Sequence, residues 1–309
     1  MINTVFLAGP TASGKTEYAI KLASALGGEI VSADSMQIYK YMDIGSAKPT
    51  AEERARAVHW LVDEVDPRTP FTAAEYKKRA EEYIDDIASR GRLPIVCGGT
   101  GLYFNALIYD MDFSAPEGND EYRKALWDSC EQDPAVLHER LRQLDPKAAD
   151  AIHPNNVKRV LRAVERLEHG EEQLAQFSSL TSVNPKYNPI LIGLERDRDE
   201  LYRRINLRVD KLYEAGLPEE IQRLMAMGFT SSDVAMKGIG YKEIIDAVTA
   251  GGKPEDASET IKQNTRHYAK RQMTWFRRYP MIRWVRISGT GIDEKAFSEM
   301  LEIIQNGRI

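Results

Sequence analysis

Gly9-Pro10-Thr11-Ala12-Ser13-Gly14-Lys15-Thr16 is the stretch whose reading decides the fold. It satisfies G-x-x-x-x-G-K-[ST], the phosphate-binding loop pattern, at every fixed position. Its flanks are the ones this pattern needs. Residues 4–8 (TVFLA) read as a short buried strand. After the loop, Ala19, Leu22, Ala23 and Leu26 recur at helical spacing until Gly27-Gly28 stops the helix. A strand, a glycine loop and a helix in that order gather backbone N–H groups and a helix N-terminus around one anion. Gly9, Thr11, Ala12, Ser13 and Gly14 would form the cradle, Lys15 would reach the terminal phosphate, and the Thr16 hydroxyl would reach Mg2+. The ligand class is therefore a diphosphate or triphosphate. A chance glycine turn is the alternative, and the strand and helix on either side weigh against it.

Working outward, 309 residues suffice for a full α/β core with an appended or inserted part. Hydrophobic content of 42% and charged content of 29% are those of an ordinary soluble domain. Met1-Ile2-Asn3-Thr4 shows no basic leader region, so no signal peptide is expected. The longest uncharged stretch, 93–109, holds one proline and three glycines and reads as strand, turn and helix, not as a membrane span. Cys97 and Cys130 lie far apart without metal-ligand spacing, so a reducing, cytoplasmic setting is expected.

Four segments read as strands of a mostly parallel sheet: 4–8, 29–33, 93–97 and 189–194. Helical patterns separate them, the βαβ rhythm of a phosphate-loop fold. The first three each end in a turn with polar or glycine residues: 9–16, then Asp34-Ser35-Met36-Gln37, then Gly98-Gly99-Thr100-Gly101. Open α/β sheets place ligands at such carboxyl ends of strands. Between 114 and 150 the chain changes to a loop and charged helical stretches broken at Asp133-Pro134 and Asp145-Pro146. The expected architecture is an α/β, P-loop NTPase-like core with a mostly parallel sheet, a small helical insertion and a helical C-terminal part. The boundaries drawn are 1–113 for the first part of the core, 114–150 for the insertion or lid, and 151–309 for core completion and the helical part. Helices are expected at 73–90, 156–168, 199–215, 218–227, 241–250 and 257–279, with an edge strand at 282–287.

Asp34 stands where a buried strand ends beside the loop. A carboxylate there can hold a metal ion, accept a proton, or cap the next helix with Ser35. The third strand ends in Gly98-Gly99-Thr100-Gly101 where ATP-hydrolysing relatives of the loop carry an acid, which weakens an ATPase or GTPase reading. The glycines make a tight turn and allow a ligand to approach the backbone closely.

Net charge is −5, yet residues 266–286 contain seven Lys or Arg, no acid, and Tyr268, Trp275, Phe276, Tyr279 and Trp284. Such a stretch suits contact with nucleic-acid phosphates; a core aromatic face with solvated arginines is the alternative. Lys158, Arg159, Arg162 and Arg166 form a second basic cluster, and Arg203, Arg204 and Arg208 a third. The five histidines show no ligand spacing.

Taken together, these motifs resemble one family, the bacterial tRNA dimethylallyltransferases, also called tRNA isopentenyltransferases. The resemblance runs over nearly the whole chain. It rests on the loop, Asp34-Ser35-Met36-Gln37-Ile38-Tyr39-Lys40, Met42-Asp43-Ile44-Gly45-Ser46-Ala47-Lys48-Pro49 and Gly98-Gly99-Thr100-Gly101-Leu102-Tyr103. Arg162-Ala163-Val164-Glu165, Gly238-Ile239-Gly240-Tyr241-Lys242-Glu243 and Arg271-Gln272-Met273-Thr274-Trp275-Phe276-Arg277 complete it. The loop alone is common to many nucleotide-binding proteins; the Asp34, Gly98 and Arg271 motifs in this order are far more specific.

The resemblance implies that the loop binds dimethylallyl diphosphate and that the dimethylallyl group moves to N6 of the adenosine 3′ of the anticodon. It places Asp34 at the general base, and Lys15 and Thr16 at the diphosphate and Mg2+ positions, with Thr100 in the catalytic set. It implies tRNA contacts at Asp34, Ser35, Met36, Gln37, Thr100, Arg123, Lys158, Arg159 and Arg162. Arg271, Gln272 and Arg277, from the basic stretch, join them. The expected partners are the tRNA anticodon stem-loop and dimethylallyl diphosphate, with a monomer, no membrane and no zinc. A P-loop small-molecule kinase with Asp34 as base is the runner-up; it leaves the basic C-terminal half unexplained. An RNA-binding ATPase is a third reading, and the missing second acid counts against it.

Overall fold

Val5, Phe6, Leu7 and Ala8 are fully buried in β1 (Ile2–Ala8), the strand that leads into the loop. Burial on both faces is why these residues read as a continuous apolar run. The other strands are β2 (Gly28–Ala33), β3 (His59–Trp60), β4 (Leu93–Gly98), β5 (Tyr187–Glu195) and β6 (Arg283–Arg286). They form one sheet in the order β3-β2-β4-β1-β5-β6, and every pairing is parallel. The computed structural model describes residues 1–109, 111, 122, 124–128, 134–168 and 182–309.

The alternation along β1 separates two cores. Val5 and Leu7 join a cluster with Tyr18, Ile20 and Leu22 of α1 (Lys15–Leu26) and with Ile30, Ile95, Ile192 and Val285. Phe6 faces the other way, its ring 5.9 Å from Phe104. On that side lie α3 (Ala73–Ser89), following the short α2 (Ala51–Arg56), and α4 (Gly101–Ile108). Tyr76 of α3 stacks on Tyr103 of α4 at 3.8 Å and 5°.

Two compact units are present: Met1–Ile108 with Asn184–Ile309, and Tyr109–Val183. The smaller unit holds α5 (Pro134–Leu144), α6 (Pro146–Ala151) and α7 (Val157–Glu168) around Leu137, Leu141, Ala149, Val160 and Val164. An antiparallel bridge pairs Tyr109 with Val183. His138 Nε2 lies 3.0 Å from Ala149 O and 2.9 Å from Ile152 O, a structural role. The boundary differs from the sequence-based 114–150. Residues after 150 belong here because Ile152, Val160, Leu161, Ala163 and Val164 complete this unit's own apolar cluster.

The remaining helices are α8 (Arg198–Glu214), α9 (Leu217–Ala226), α10 (Tyr241–Thr249), α11 (Ser258–Phe276) and α12 (Glu294–Gly307). The edge strand expected at 282–287 is β6. Sequence reading missed β3, too short to show alternation, and α12, although Ala296, Phe297, Met300 and Ile304 fall at helical spacing and Asp293 caps it. Among the described residues no helix is long and apolar enough to cross a membrane.

Candidate active site

The three turns foreseen at strand ends meet at the carboxyl end of the sheet, since β2, β4 and β1 are adjacent and parallel. Gly14 precedes α1 with φ of 98°, a left-handed conformation that glycine adopts without steric cost. Ala12 shares that region at φ 61°, which costs a side-chain-bearing residue about 1–3 kcal/mol. Such strain persists only where its surroundings impose it.

Lys15 Nζ donates to Pro10 O at 2.7 Å. Burial pulls its ammonium down to about 8; Cys97 and Asp34 oppose that fall, and the Arg208 charge adds to it. The Cys97 thiol, at the end of β4, is pushed up to about 12, chiefly by burial, so it stays protonated. Ser13 Oγ is buried without a hydrogen-bond partner.

Asp34 Oδ1 accepts from Met36 N at 2.9 Å and, more weakly, from Gln37 N at 3.4 Å. The helix cap expected from sequence is instead the cap of a turn, since no helix follows β2 directly, and it uses one oxygen only. Thr100 supports the same turn, its Oγ1 accepting from Ser35 N at 3.1 Å. The Tyr268 phenol is held above its ordinary range by burial first and the Asp34 charge second. Thr100, the Arg271 charge and Gln272 act against that rise in the Tyr268 pKa.

A cavity of about 380 Å³ opens on these groups, with Lys15, Thr16, Asp34, Arg208, Tyr268 and Arg271 in its wall. Lys15 and Arg208 bring two cations to a space that holds one nearby carboxylate, Asp34. Burial lowers the Arg208 pKa, while Asp34 and Glu53 act against that shift. Two desolvated cations facing one cavity favour an anionic ligand. Arg208 was seen in the sequence only as part of a basic cluster; its place follows from α8 turning that residue inward, with Leu201, Ile205 and Val209 buried at helical spacing.

The structure corrects several expected roles. Gln272 is 5% exposed and spans two turns: its Oε1 accepts from Thr11 N at 2.9 Å and its Nε2 donates to Gly99 O at 3.0 Å. Its amide is committed within the protein, so it orders the loop, and the residue also forms part of the cavity wall. A Cβ on Gly99 or Gly101 would overlap Gln272 or Trp275, so these glycines admit α11 at close range, and Gly98 and Gly99 also form part of the cavity wall. Gly98 faces the Ala33 backbone in the same way. Thr100 is not among the residues lining the cavity. Gln37 is also engaged, donating to Ala47 O at 3.1 Å and accepting from Ser32 Oγ at 3.2 Å.

Of the basic stretch, Arg266 bonds Asn206 and Arg277 pairs with Glu195 at 2.9 Å, while Phe276 is fully buried. Along that helix aromatics enter the core, and Lys270, Arg271 and Arg277 stay exposed. In the smaller unit, Lys158, Arg159 and Arg162 are exposed on α7, opposite its buried Val160, Leu161 and Val164, whereas Arg166 is half-buried. Arg123 lies outside the described residues.

One framework residue escaped the sequence reading. Glu220, fully buried, accepts from the N–H groups of Asp43, Ile44 and Gly45 at 2.8, 2.8 and 3.0 Å. It holds the loop whose Gly45, Ser46 and Ala47 form part of the cavity wall. Lys48 secures the loop's far end through Asp43 and Asp63, each at 2.7 Å.

A family model described as IPP transferase matches residues 37–279. A tRNA dimethylallyltransferase of Acetivibrio thermocellus is 47% identical over 302 residues, covering 97% of this chain and 96% of that protein. The crystal structure of a full-length tRNA isopentenylpyrophosphate transferase from Bacillus halodurans aligns with a TM-score of 0.74 at 40% identity, over 99% of this chain and 98% of that one. A eukaryotic dimethylallyltransferase, described in its crystal structures as acting on tRNA, aligns at 0.80 and 26% identity, over 99% of this chain and 80% of its own.

Proposed function

The chain belongs to the IPP transferase family, and we propose that it transfers a dimethylallyl group from dimethylallyl diphosphate to N6 of the adenosine immediately 3′ of the anticodon in tRNA. The observation that carries this reading is the single cavity in which Lys15, Thr16 and Arg208 face Asp34, with Tyr268 and Arg271 beside them.

The diphosphate lies against the N-terminus of α1, the Lys15 ammonium and the Arg208 guanidinium. These groups stabilise charge as it gathers on the departing oxygen. The allylic C–O bond breaks with both electrons leaving on diphosphate, and the N6 lone pair forms the new C–N bond. The N6 proton passes to Asp34. With Oδ1 occupied by the Met36 and Gln37 N–H groups, Oδ2 is the oxygen that takes it. General base catalysis of this kind contributes about 10²–10⁴-fold.

Among the described residues no three His, Cys, Asp or Glu side chains converge as metal ligands. The Thr16 hydroxyl is the hard oxygen in the wall next to Lys15, and Mg2+ beside a diphosphate takes most of its ligands from phosphate and water, so the residues fit that ion. When bound, Mg2+ supplies charge neutralisation of the leaving group.

The adenine has to leave its stack to reach this cavity, and unpaired anticodon-loop bases do so at low cost. Arg271 sits over the Tyr268 ring, centroid distance 5.8 Å, and offers a flat polar surface for a base. Lys158, Arg159 and Arg162 in the smaller unit and Arg277 in the larger supply charge for the tRNA backbone. A tRNA substrate and two cysteines without metal-ligand spacing support a cytoplasmic setting, and a single copy of the chain carries every group used.

The test is a transfer assay with Mg2+, radiolabelled dimethylallyl diphosphate and unmodified tRNA bearing adenosine or guanosine 3′ of the anticodon. Label entering only the adenosine tRNA supports the reading. No label in either, with ATP turned over in the absence of RNA, would replace it with the small-molecule kinase.

A further inference from the structure

Arg196 and Arg204 grip the phosphate-binding loop from behind. Arg196 Nε donates to Ser13 O and Arg204 Nε to Ala12 O, both at 2.9 Å. The two guanidinium groups also converge on Gly289 O, at 2.8 and 3.4 Å. Arg196 is closed off by Glu200 at 2.5 Å, and its side chain is 1% exposed. Neither arginine lines the cavity.

A trans peptide unit is planar, so its carbonyl and its N–H point in opposite directions. Holding Ala12 O and Ser13 O from one side turns the Ser13 and Gly14 N–H groups to the other. That other side carries the Lys15 ammonium: Ser13 N and Lys15 Nζ both donate to Pro10 O, at 3.3 and 2.7 Å. The arrangement also accounts for Ala12, whose left-handed backbone (φ 61°) needs an external constraint. Two cations are kept adjacent here. Burial lowers the Arg204 pKa, the Arg196 charge lowers it further, and Glu200 and Glu17 counter. A neutral donor would satisfy a carbonyl; a charged one in addition polarises the peptide and strengthens its N–H toward an anion.

We propose that Arg204, acting with Arg196, is a positioning residue for the diphosphate: Arg204 fixes the Ala12–Ser13 peptide, whose N–H closes the turn onto Pro10 O beside the Lys15 ammonium, so that the Gly14 N–H of the Ser13–Gly14 peptide, held and polarised by Arg196, faces the leaving group. The proposal rests on the cavity being the diphosphate site. It makes no contact between Arg204 and substrate.

Binding of inorganic pyrophosphate with Mg2+, measured by titration calorimetry, tests it on the full chain. Arg204→Gln and Arg204→Met should each weaken pyrophosphate about tenfold and raise the KM for dimethylallyl diphosphate to a similar degree. The KM for tRNA should not move, and Arg204→Lys should recover most of the loss. Two neutral variants are used so that one failing to fold leaves the other to decide. Pyrophosphate affinity equal to wild type in a folded neutral variant overturns the proposal while leaving the diphosphate site intact. Equal increases in the KM for both substrates, with no recovery in Arg204→Lys, overturn it as well and mark Arg204 as merely structural. A wild-type chain that binds no pyrophosphate removes the cavity reading itself and this proposal with it.

Discussion

The Tyr241 hydroxyl donates to Glu220 Oε1 at 2.7 Å, inside a fully buried carboxylate site that also takes three consecutive backbone N–H groups from Asp43 to Gly45. This one side chain ties α9 and α10 to the loop that walls the cavity. Glu220→Ala leaves four donors without an acceptor. Each orphaned buried donor costs about 1–3 kcal/mol before relaxation. A net loss of about 3–5 kcal/mol in urea unfolding is expected, with a smaller loss for Glu220→Gln. A change below about 1 kcal/mol would show that water or a loop shift replaces the carboxylate.

Lys15 makes pyrophosphate binding pH-dependent. Its ammonium, lowered to about 8 by burial, is charged below that pH and neutral above it. Affinity should hold from pH 6 to 7.5 and fall as pH rises through 8. The same shift has the opposite sign for stability. Between about 8 and the unperturbed 10.5 the unfolded chain binds more protons than the folded one, so this group's contribution rises with pH across that window. Calorimetric affinity that stays level up to pH 9.5 would count against a depressed Lys15.

Asp34→Asn separates the two duties of that side chain. The amide oxygen can still cap Met36 and Gln37, while the proton acceptor is gone. Single-turnover transfer should drop by about 10²–10⁴ with tRNA affinity and stability close to wild type. Asp34→Ala should lose in addition about 0.5–2 kcal/mol of stability, because the cap goes too. Near-normal transfer by Asp34→Asn would remove Asp34 as the base.

Gly98→Ala directs a methyl group into the Ala33 backbone, which cannot swing aside as a side chain would. The expected result is a destabilisation of at least about 1–3 kcal/mol and a displaced Asp34 turn, read as a lowered melting temperature. A melting temperature equal to wild type would show that the two strand ends can part.

Arg277→Ala breaks a surface ion pair with Glu195, in which the arginine side chain is 62% exposed. Stability should change by less than about 1 kcal/mol. Affinity for tRNA should fall, and the slope of log affinity against log salt should flatten by roughly one. If stability falls and tRNA binding does not, Arg277 serves the fold alone.

Much of the core was legible because its signals are contiguous. The loop pattern, the apolar runs of β1, β2, β4 and β5, and the helical spacing along α1, α3 and α8 each lie within one segment, where covalent neighbours and backbone period decide the outcome. Asp34 could be singled out from its place at a strand end. Lys158, Arg162 and Arg166 could be read as a basic stripe of a helix at i, i+4 spacing; the first two are exposed and Arg166 is half-buried.

The sequence by itself thus determined a parallel α/β sheet with a glycine-rich loop after its first strand and an acid at the end of its second. Only the tertiary structure decided that Gln272 bridges Thr11 and Gly99, that Arg208 joins Lys15, that Arg196 and Arg204 hold the back of the loop, and that Glu220 anchors residues 43–45. The physical reason is distance along the chain. These partners are separated by some 170 to 260 residues, and a polar side chain that far away carries no local mark of the one carbonyl or N–H group it will meet. Burial then makes that meeting obligatory, because each polar group left unpaired inside the core costs about 1–3 kcal/mol.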